Sequence, residues 1–94
     1  MIYKPVDFHN HVSGKKGKLD KKEAESRLEA AEILGIDKVC ISRPLTWDSP
    51  SPEEFRAANE ITLSAMSLFK RFIGFCYINP GYSRESLDEM EKCI

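Results

Sequence analysis

The spacing of hydrophobic and polar positions predicts three short apolar strands that alternate with three amphipathic helices. The strands are predicted over residues 2–8, 38–42 and 72–78, and the helices over residues 21–34, 52–70 and 84–94. A β-α-β-α-β-α order is typical of parallel strands joined by crossover helices. The chain is therefore expected to be an α/β protein built on a parallel sheet.

Capping signals mark the ends of these helices. Asp20 and Ser51 are the predicted N-caps of the first two helices, and each is followed three residues later by a glutamate, as in a capping box. Gly35 follows the first helix, where a left-handed conformation is least costly. Ser83 is the predicted N-cap of the third helix.

In the third helix, the pattern places Leu87, Met90 and Ile94 on the inner side. Its charged residues are predicted to face mostly outward: Asp88, Glu89, Glu91 and Lys92. The helical pattern still runs at the last residue, so we expect the 94 residues to be one partial domain that is truncated before its sheet is complete.

Three βα units leave one sheet face without helices and both sheet edges open. Further units would cover that face. About eight would close a (β/α)₈ TIM-barrel-like fold, of which these residues would be the first part. In isolation, the open sheet edges are expected to allow self-association.

Both histidines of the chain lie near the N-terminus, in Asp7-Phe8-His9-Asn10-His11. On a regular strand, alternation places Asp7, His9 and His11 on one face. Two imidazoles at this spacing could bind one metal ion. Asp7 is expected to orient a histidine or cap the following loop rather than to be a ligand.

Polar side chains also follow the other two strands. In a parallel barrel, the C-terminal ends of the strands carry the site. Arg43 ends the second strand and could bind a substrate carboxylate, although a surface ion pair is the simpler interpretation. Asn79 ends the third strand and is the other candidate substrate-binding residue. The basic stretch over residues 13–18 is expected to be a flexible loop, either simply solvated or with a lysine that binds an anionic substrate.

Composition narrows the class of protein. With 41% hydrophobic and 31% charged residues the chain is globular, and its net charge of −1 gives no general attraction to nucleic acid or to an anionic membrane. No apolar run reaches the ~20 residues of a membrane span. Three cysteines without a C-x-x-C pair indicate a reducing, cytoplasmic setting, with Cys40 and Cys76 as buried structural thiols.

Two motifs together resemble the amidohydrolase superfamily, in particular its amidohydrolase-related branch of metal-dependent hydrolases and decarboxylases. Asp7-Phe8-His9-Asn10-His11 is similar to the D-x-H-x-H at the end of that fold's first strand. The segment from Phe72 to Pro80 is similar to the branch's third strand, which ends in Asn-Pro. Asn59 matches the usual asparagine of its second helix.

The resemblance implies that His9 and His11 are ligands of a divalent metal, commonly zinc. The metal would activate a water that attacks a carbonyl or related carbon of a small-molecule substrate. The family's further ligands, histidines on the fifth and sixth strands and an aspartate on the eighth, have no counterpart in these 94 residues. No catalytic residue is therefore assigned, and the isolated chain is expected to be inactive.

Three alternatives remain open from the sequence. One is a decarboxylase of the same branch. Another is a metal-dependent phosphoesterase or deoxyribonuclease, because these folds also begin with an H-x-H strand. The basic loop over residues 13–18 favours this class, whereas the acidic net charge counts against it. The third is a small non-catalytic α/β module in which the histidines are incidental.

Overall fold

The fold is a small parallel sheet with helices on one side and a separate β-hairpin. The computed structural model describes residues 4–45 and 49–94. In chain order, these residues form β1 (Val6–His11), β2 (Gly14–Lys15), β3 (Lys18–Leu19), α1 (Lys21–Leu34), β4 (Lys38–Ser42), α2 (Pro52–Leu68), β5 (Phe72–Gly74) and α3 (Ser83–Cys93).

The sheet contains β1, β4 and β5 in that spatial order. β4 is the central strand and pairs in parallel with both neighbours. This arrangement confirms the predicted α/β class and the parallel pairing of the three strands. It also places the C-terminal ends of all three strands at the same edge of the sheet.

The outer strands differ in extent from their predictions. β1 begins at Val6 and runs through His11, whereas a strand over residues 2–8 was expected, of which residues 2 and 3 lie outside the described part. β5 ends at Gly74 rather than at residue 78. Beyond Gly74, the backbone of Tyr77 is bonded by the side chain of Asn59 instead of by a neighbouring strand.

The basic stretch predicted as a flexible loop is a β-hairpin. β2 and β3 pair antiparallel, with Lys15 opposite Lys18. Lys16 and Gly17 form the two-residue turn between them, with φ of 51° and 76°. Two successive positive φ values are required by a type I′ turn, which matches the twist of a hairpin. Glycine at the second position adopts this conformation without strain.

The predicted caps of the first two helices are confirmed. The Asp20 side chain accepts a hydrogen bond from the N–H of Glu23, and Gly35 ends α1 with φ of 72°. Ser51 and Glu54 form a reciprocal capping box at the start of α2. Within residues 4–45 and 49–94, no helix has both the length and the apolar character needed to cross a membrane.

The core lies between one face of the sheet and the first two helices. Its buried side chains come from the sheet, from the residue after β1, from α1 and from α2: Val39, Ile41, Phe72, Val12, Ala24, Ala31, Ile61 and Ala65. Alanines on the helices allow close approach to the sheet, whose β-branched side chains fill the space between them. This core fixes the sheet against α1 and α2, and with it the C-terminal ends of β1, β4 and β5.

The opposite face of the sheet carries no helix in the described residues. Phe8 is 76% exposed and its ring contacts that of Phe75, with centroids 6.0 Å apart. Val6 and Ile73 are also exposed on this side of the molecule. We call this surface, formed by Val6, Phe8, Ile73 and Phe75, the open face.

The third helix presents a different side to the protein from the one predicted. Glu89, predicted to face outward, is 3% exposed, and Ser86 is also buried. The apolar residues predicted to face inward are exposed: Leu87, Met90 and Ile94. The prediction was wrong because the hydrogen bonds of Glu89 and Ser86 to neighbouring segments orient α3, and no helical periodicity reports such bonds.

Candidate metal centre

A β-bulge in β1 shapes the histidine motif. Asp7 pairs with Val39 and Asn10 pairs with Ile41, so three steps along β1 match two steps along β4. Phe8 and His9 therefore both stand opposite Cys40, on the side of the open face. Simple alternation does not hold here. Asp7 is on the same side as buried Val39, not on the side of the histidines as the sequence had predicted.

The bulge brings the two imidazoles together. The Nε2 atoms of His9 and His11 are 3.1 Å apart, and the ring centroids are 5.0 Å apart. Two nitrogens on a tetrahedral zinc, each bonded at about 2.0–2.1 Å, would be separated by about 3.3 Å. The separation of the two Nε2 atoms is therefore close to that of two ligands on a shared divalent ion.

A hydrogen-bond network holds the backbone of this pair from the helix side. The carboxylate of Asp7 accepts from the N–H of His9 (3.1 Å) and from the amide of Asn10 (2.9 Å). The side-chain Oδ1 of Asn10 in turn accepts from the N–H of His11 (2.8 Å) and from Arg27 of α1 (2.7 Å). Each histidine thus has its backbone N–H fixed by a side chain of the same strand.

Arg27 is itself held by Glu23, one turn earlier on α1, at 3.0 Å. Burial acts to raise the pKa of Glu23, but the hydrogen bonds from the Ser13 hydroxyl and from Arg27 outweigh it and hold that pKa below its usual value. The carboxylate therefore stays charged and keeps Arg27 directed at Asn10. This chain of contacts links α1 to the strand that carries the histidines.

Arg43 and Asn79, the predicted substrate-binding residues, both lie beyond strand ends. Arg43 follows β4 and lines a cavity of about 190 Å³ together with Lys16 and Glu54. The amide of Asn79 bonds the Pro50 carbonyl (2.9 Å) and accepts from the N–H of Gly81 (3.0 Å), so it connects two loops. A substrate role for either residue stays a prediction.

A second group of ligand-type side chains lies between the end of β5 and α3. One ligand atom each from Cys76, Glu89 and Cys93 lies within 4.8 Å of the others, so the group could hold a metal ion. The sequence prediction treated Cys76 as a structural thiol and missed this group. The available signal was the i, i+4 spacing of Glu89 and Cys93, which places both on one side of a helix.

Among residues 4–45 and 49–94, that group is the one set of three histidine, cysteine or acidic residues with ligand atoms in mutual reach. The described residues consequently add no third ligand of these types to His9 and His11. The histidine pair by itself supplies two of the three protein ligands that a catalytic zinc usually has.

Comparison of the chain with protein-family models, with curated proteins and with solved structures found no match.

Proposed function

We propose that these residues are the N-terminal part of a metal-dependent hydrolase of the amidohydrolase type, in which His9 and His11 bind a divalent metal, zinc in the first instance. The observation that carries the proposal is the 3.1 Å separation of their Nε2 atoms at the C-terminal end of β1. Other parts of the intact enzyme would supply the remaining ligands. A decarboxylase of the same branch would use the same pair.

The chemistry follows from what each group supplies. A bound divalent ion would polarise a carbonyl of the substrate and lower the pKa of a water molecule. His9 and His11 would hold the ion, while Asp7 and Asn10 fix the backbone that carries them. A carboxylate-binding role for Arg43 also belongs to the proposal, and its place would be the cavity that Arg43 lines with Lys16 of the hairpin.

The open face supports the barrel part of the proposal. In a (β/α)₈ barrel, one face of each strand points to the interior, and every strand pairs with a neighbour on both sides. The open face is apolar and is bordered by two unpaired edges, as a separate part of such a wall would be. The helices lie on the opposite side of the sheet, as they do outside a barrel. A reducing cytoplasmic location also belongs to the proposal, and its support is the pattern of three widely spaced cysteines without a C-x-x-C pair.

A zinc titration followed by NMR tests the metal centre directly. The chain has two histidines, so the imidazole C–H region contains the signals of His9 and His11 alone. We expect zinc to shift both sets of signals together, with a dissociation constant in the micromolar range or weaker because a third ligand is missing. His9→Ala should weaken zinc binding at least about tenfold, as expected for a lost ligand.

The titration is done in a Cys93→Ser background, which removes the second candidate group as a competing site. His11→Ala should behave as His9→Ala does, whereas Lys18→Ala, on the hairpin, should leave zinc binding unchanged. If neither imidazole responds at millimolar zinc, the proposal fails and the non-catalytic α/β module becomes the better interpretation.

A further inference from the structure

The thiols of Cys76 and Cys93 meet at the junction of the segment after β5 with the end of α3, far from the histidine pair in sequence. Their Sγ atoms are 2.7 Å apart, across 17 positions of the chain. We propose that Cys76 and Cys93 are an oxidisable pair, a modification site that closes into an intramolecular disulfide. This inference is independent of the proposed hydrolase function.

The separation of the sulfur atoms favours a disulfide over a metal ion. A disulfide bond is about 2.04 Å long, so the two Sγ atoms need to approach by less than ~1 Å. Two thiolates on one zinc, each bonded at about 2.3 Å, would be roughly 3.8 Å apart. A metal ion would therefore have to push the two side chains apart, while oxidation draws them together.

The carboxylate of Glu89 is already neutralised by other groups. Lys92 contacts one of its oxygens at 2.7 Å, and the Asn59 amide donates to the other at 2.8 Å. A metal ion would compete with the Lys92 ammonium for the same carboxylate. The group thus lacks the free anionic ligand that a two-cysteine site needs.

Contacts with side chains of α2 hold the residue next to each thiol. The Asn59 side chain binds both the N–H and the carbonyl of Tyr77, next to Cys76. Lys92, next to Cys93, pairs with Glu60 of α2 at 2.8 Å. Because α2 holds both segments, the pair is preorganised for intramolecular closure. Both thiols are half-buried, whereas Cys40 is buried in the sheet.

The Cys76 thiol is protonated at neutral pH. Burial, with the neighbouring Cys93 and the charge of Glu89, raises the pKa of Cys76 to about 12. A small disulfide such as oxidised glutathione supplies the oxidant. One protein thiolate attacks it and releases one glutathione, and the second thiolate then displaces the other glutathione from the mixed disulfide. The two thiol protons end on the two glutathiones formed, which balances the exchange.

Mass spectrometry after incubation in glutathione redox buffers tests the pair. The reduced chain has three thiols that can be alkylated under denaturing conditions. We expect oxidation to leave one, Cys40, and peptide mapping to recover Cys76 linked to Cys93. The oxidised chain should also unfold at a temperature several degrees higher, since a cross-link restricts the unfolded state. In concentrated urea, where proximity is lost, closure should need at least about tenfold more oxidising buffer.

Three variants make the result decisive. Cys40→Ser should form the same disulfide, whereas Cys76→Ser and Cys93→Ser should form none while retaining the circular dichroism spectrum of the parent. Alkylation of all three thiols at every redox ratio would overturn the proposal, as would a disulfide that includes Cys40. Protection of both thiols by zinc, lost in Glu89→Gln, would overturn it in favour of a metal site.

Discussion

At the residue scale, the buried side chain of Asn59 on α2 binds both the segment after β5 and α3. The sequence did not predict these contacts. Asn59 is 1% exposed, and its amide joins α2 to two other segments. The amide group donates to the Tyr77 carbonyl and to Glu89, while the oxygen accepts from the N–H of Tyr77 at 2.7 Å. The position of the residues after β5, and with it that of Cys76, depends on this one side chain.

Asn59→Ala is expected to lower the free energy of unfolding by about 3 kcal/mol. The change removes three hydrogen bonds and leaves a buried carboxylate oxygen of Glu89 without one of its partners. Urea denaturation monitored by circular dichroism gives the value.

Thr62→Val is the matched control, on the same helix and equally buried. The Thr62 hydroxyl makes one long bond, 3.4 Å to the Ala58 carbonyl, so its loss should cost under about 1 kcal/mol. Equal losses from the two variants would show that Asn59 contributes through packing alone.

At the scale of single elements, the helices differ in how their N-termini are stabilised. α2 begins with a reciprocal capping box, in which Ser51 and Glu54 satisfy each other's backbone N–H groups. α3 has Tyr82 at its N-cap and no side-chain capping bond, contrary to the prediction that Ser83 caps it. The Ser83 hydroxyl instead makes a long bond of 3.4 Å to the Pro80 carbonyl.

Ser51→Ala is therefore expected to destabilise the protein by about 1 kcal/mol, the usual cost of losing an N-cap. Ser83→Ala, the same chemical change at the start of α3, should stay within about 0.5 kcal/mol of the parent. Thermal and urea unfolding of both variants provide the comparison. A loss at Ser83 as large as that at Ser51 would contradict the assignment of Tyr82 to the N-cap.

At the scale of the whole molecule, the open face sets the behaviour in solution. The radius of gyration is 14.0 Å, above the ~12 Å expected of a compact globule of this length. One layer of helices against one face of the sheet accounts for the extended shape. Both β1 and β5 are edge strands, so unpaired backbone groups border the exposed apolar surface.

We expect the purified chain to self-associate through this surface as its concentration rises. In size-exclusion chromatography with light scattering, the wild-type mass should climb above 10.7 kDa, while Phe8→Asp should stay close to it. Ile33→Asp is the control, because Ile33 on α1 is as exposed as Phe8 (79% against 76%) but lies outside the open face. If both substitutions suppress association equally, the open face is not the contact surface.

Local signals predicted the extents of the helices and the caps of α1 and α2 well, but they failed for the edge strands and for the cap and buried side of α3. Asp20, Gly35 and Ser51 act within a single turn, so the residues that set a helix end are its neighbours in sequence. The length of β5 depends instead on whether its last residues find a partner strand. The N–H of Phe75 still bonds the Ile41 carbonyl of β4, but the backbone of Tyr77 binds Asn59 instead. Asn59 is 18 positions away from Tyr77, and no short-range pattern reports that contact.

The sequence by itself determined the order of the three sheet strands and the three helices, the caps of α1 and α2, and the presence of two histidines near the end of the first strand. Side-chain period and capping chemistry are local properties, which is why they could be read without coordinates. The tertiary structure decided the rest: the bulge that sets His9 beside His11, the buried side of α3, and the meeting of Cys76 with Cys93. Each of these depends on how segments distant in the chain pack against one another.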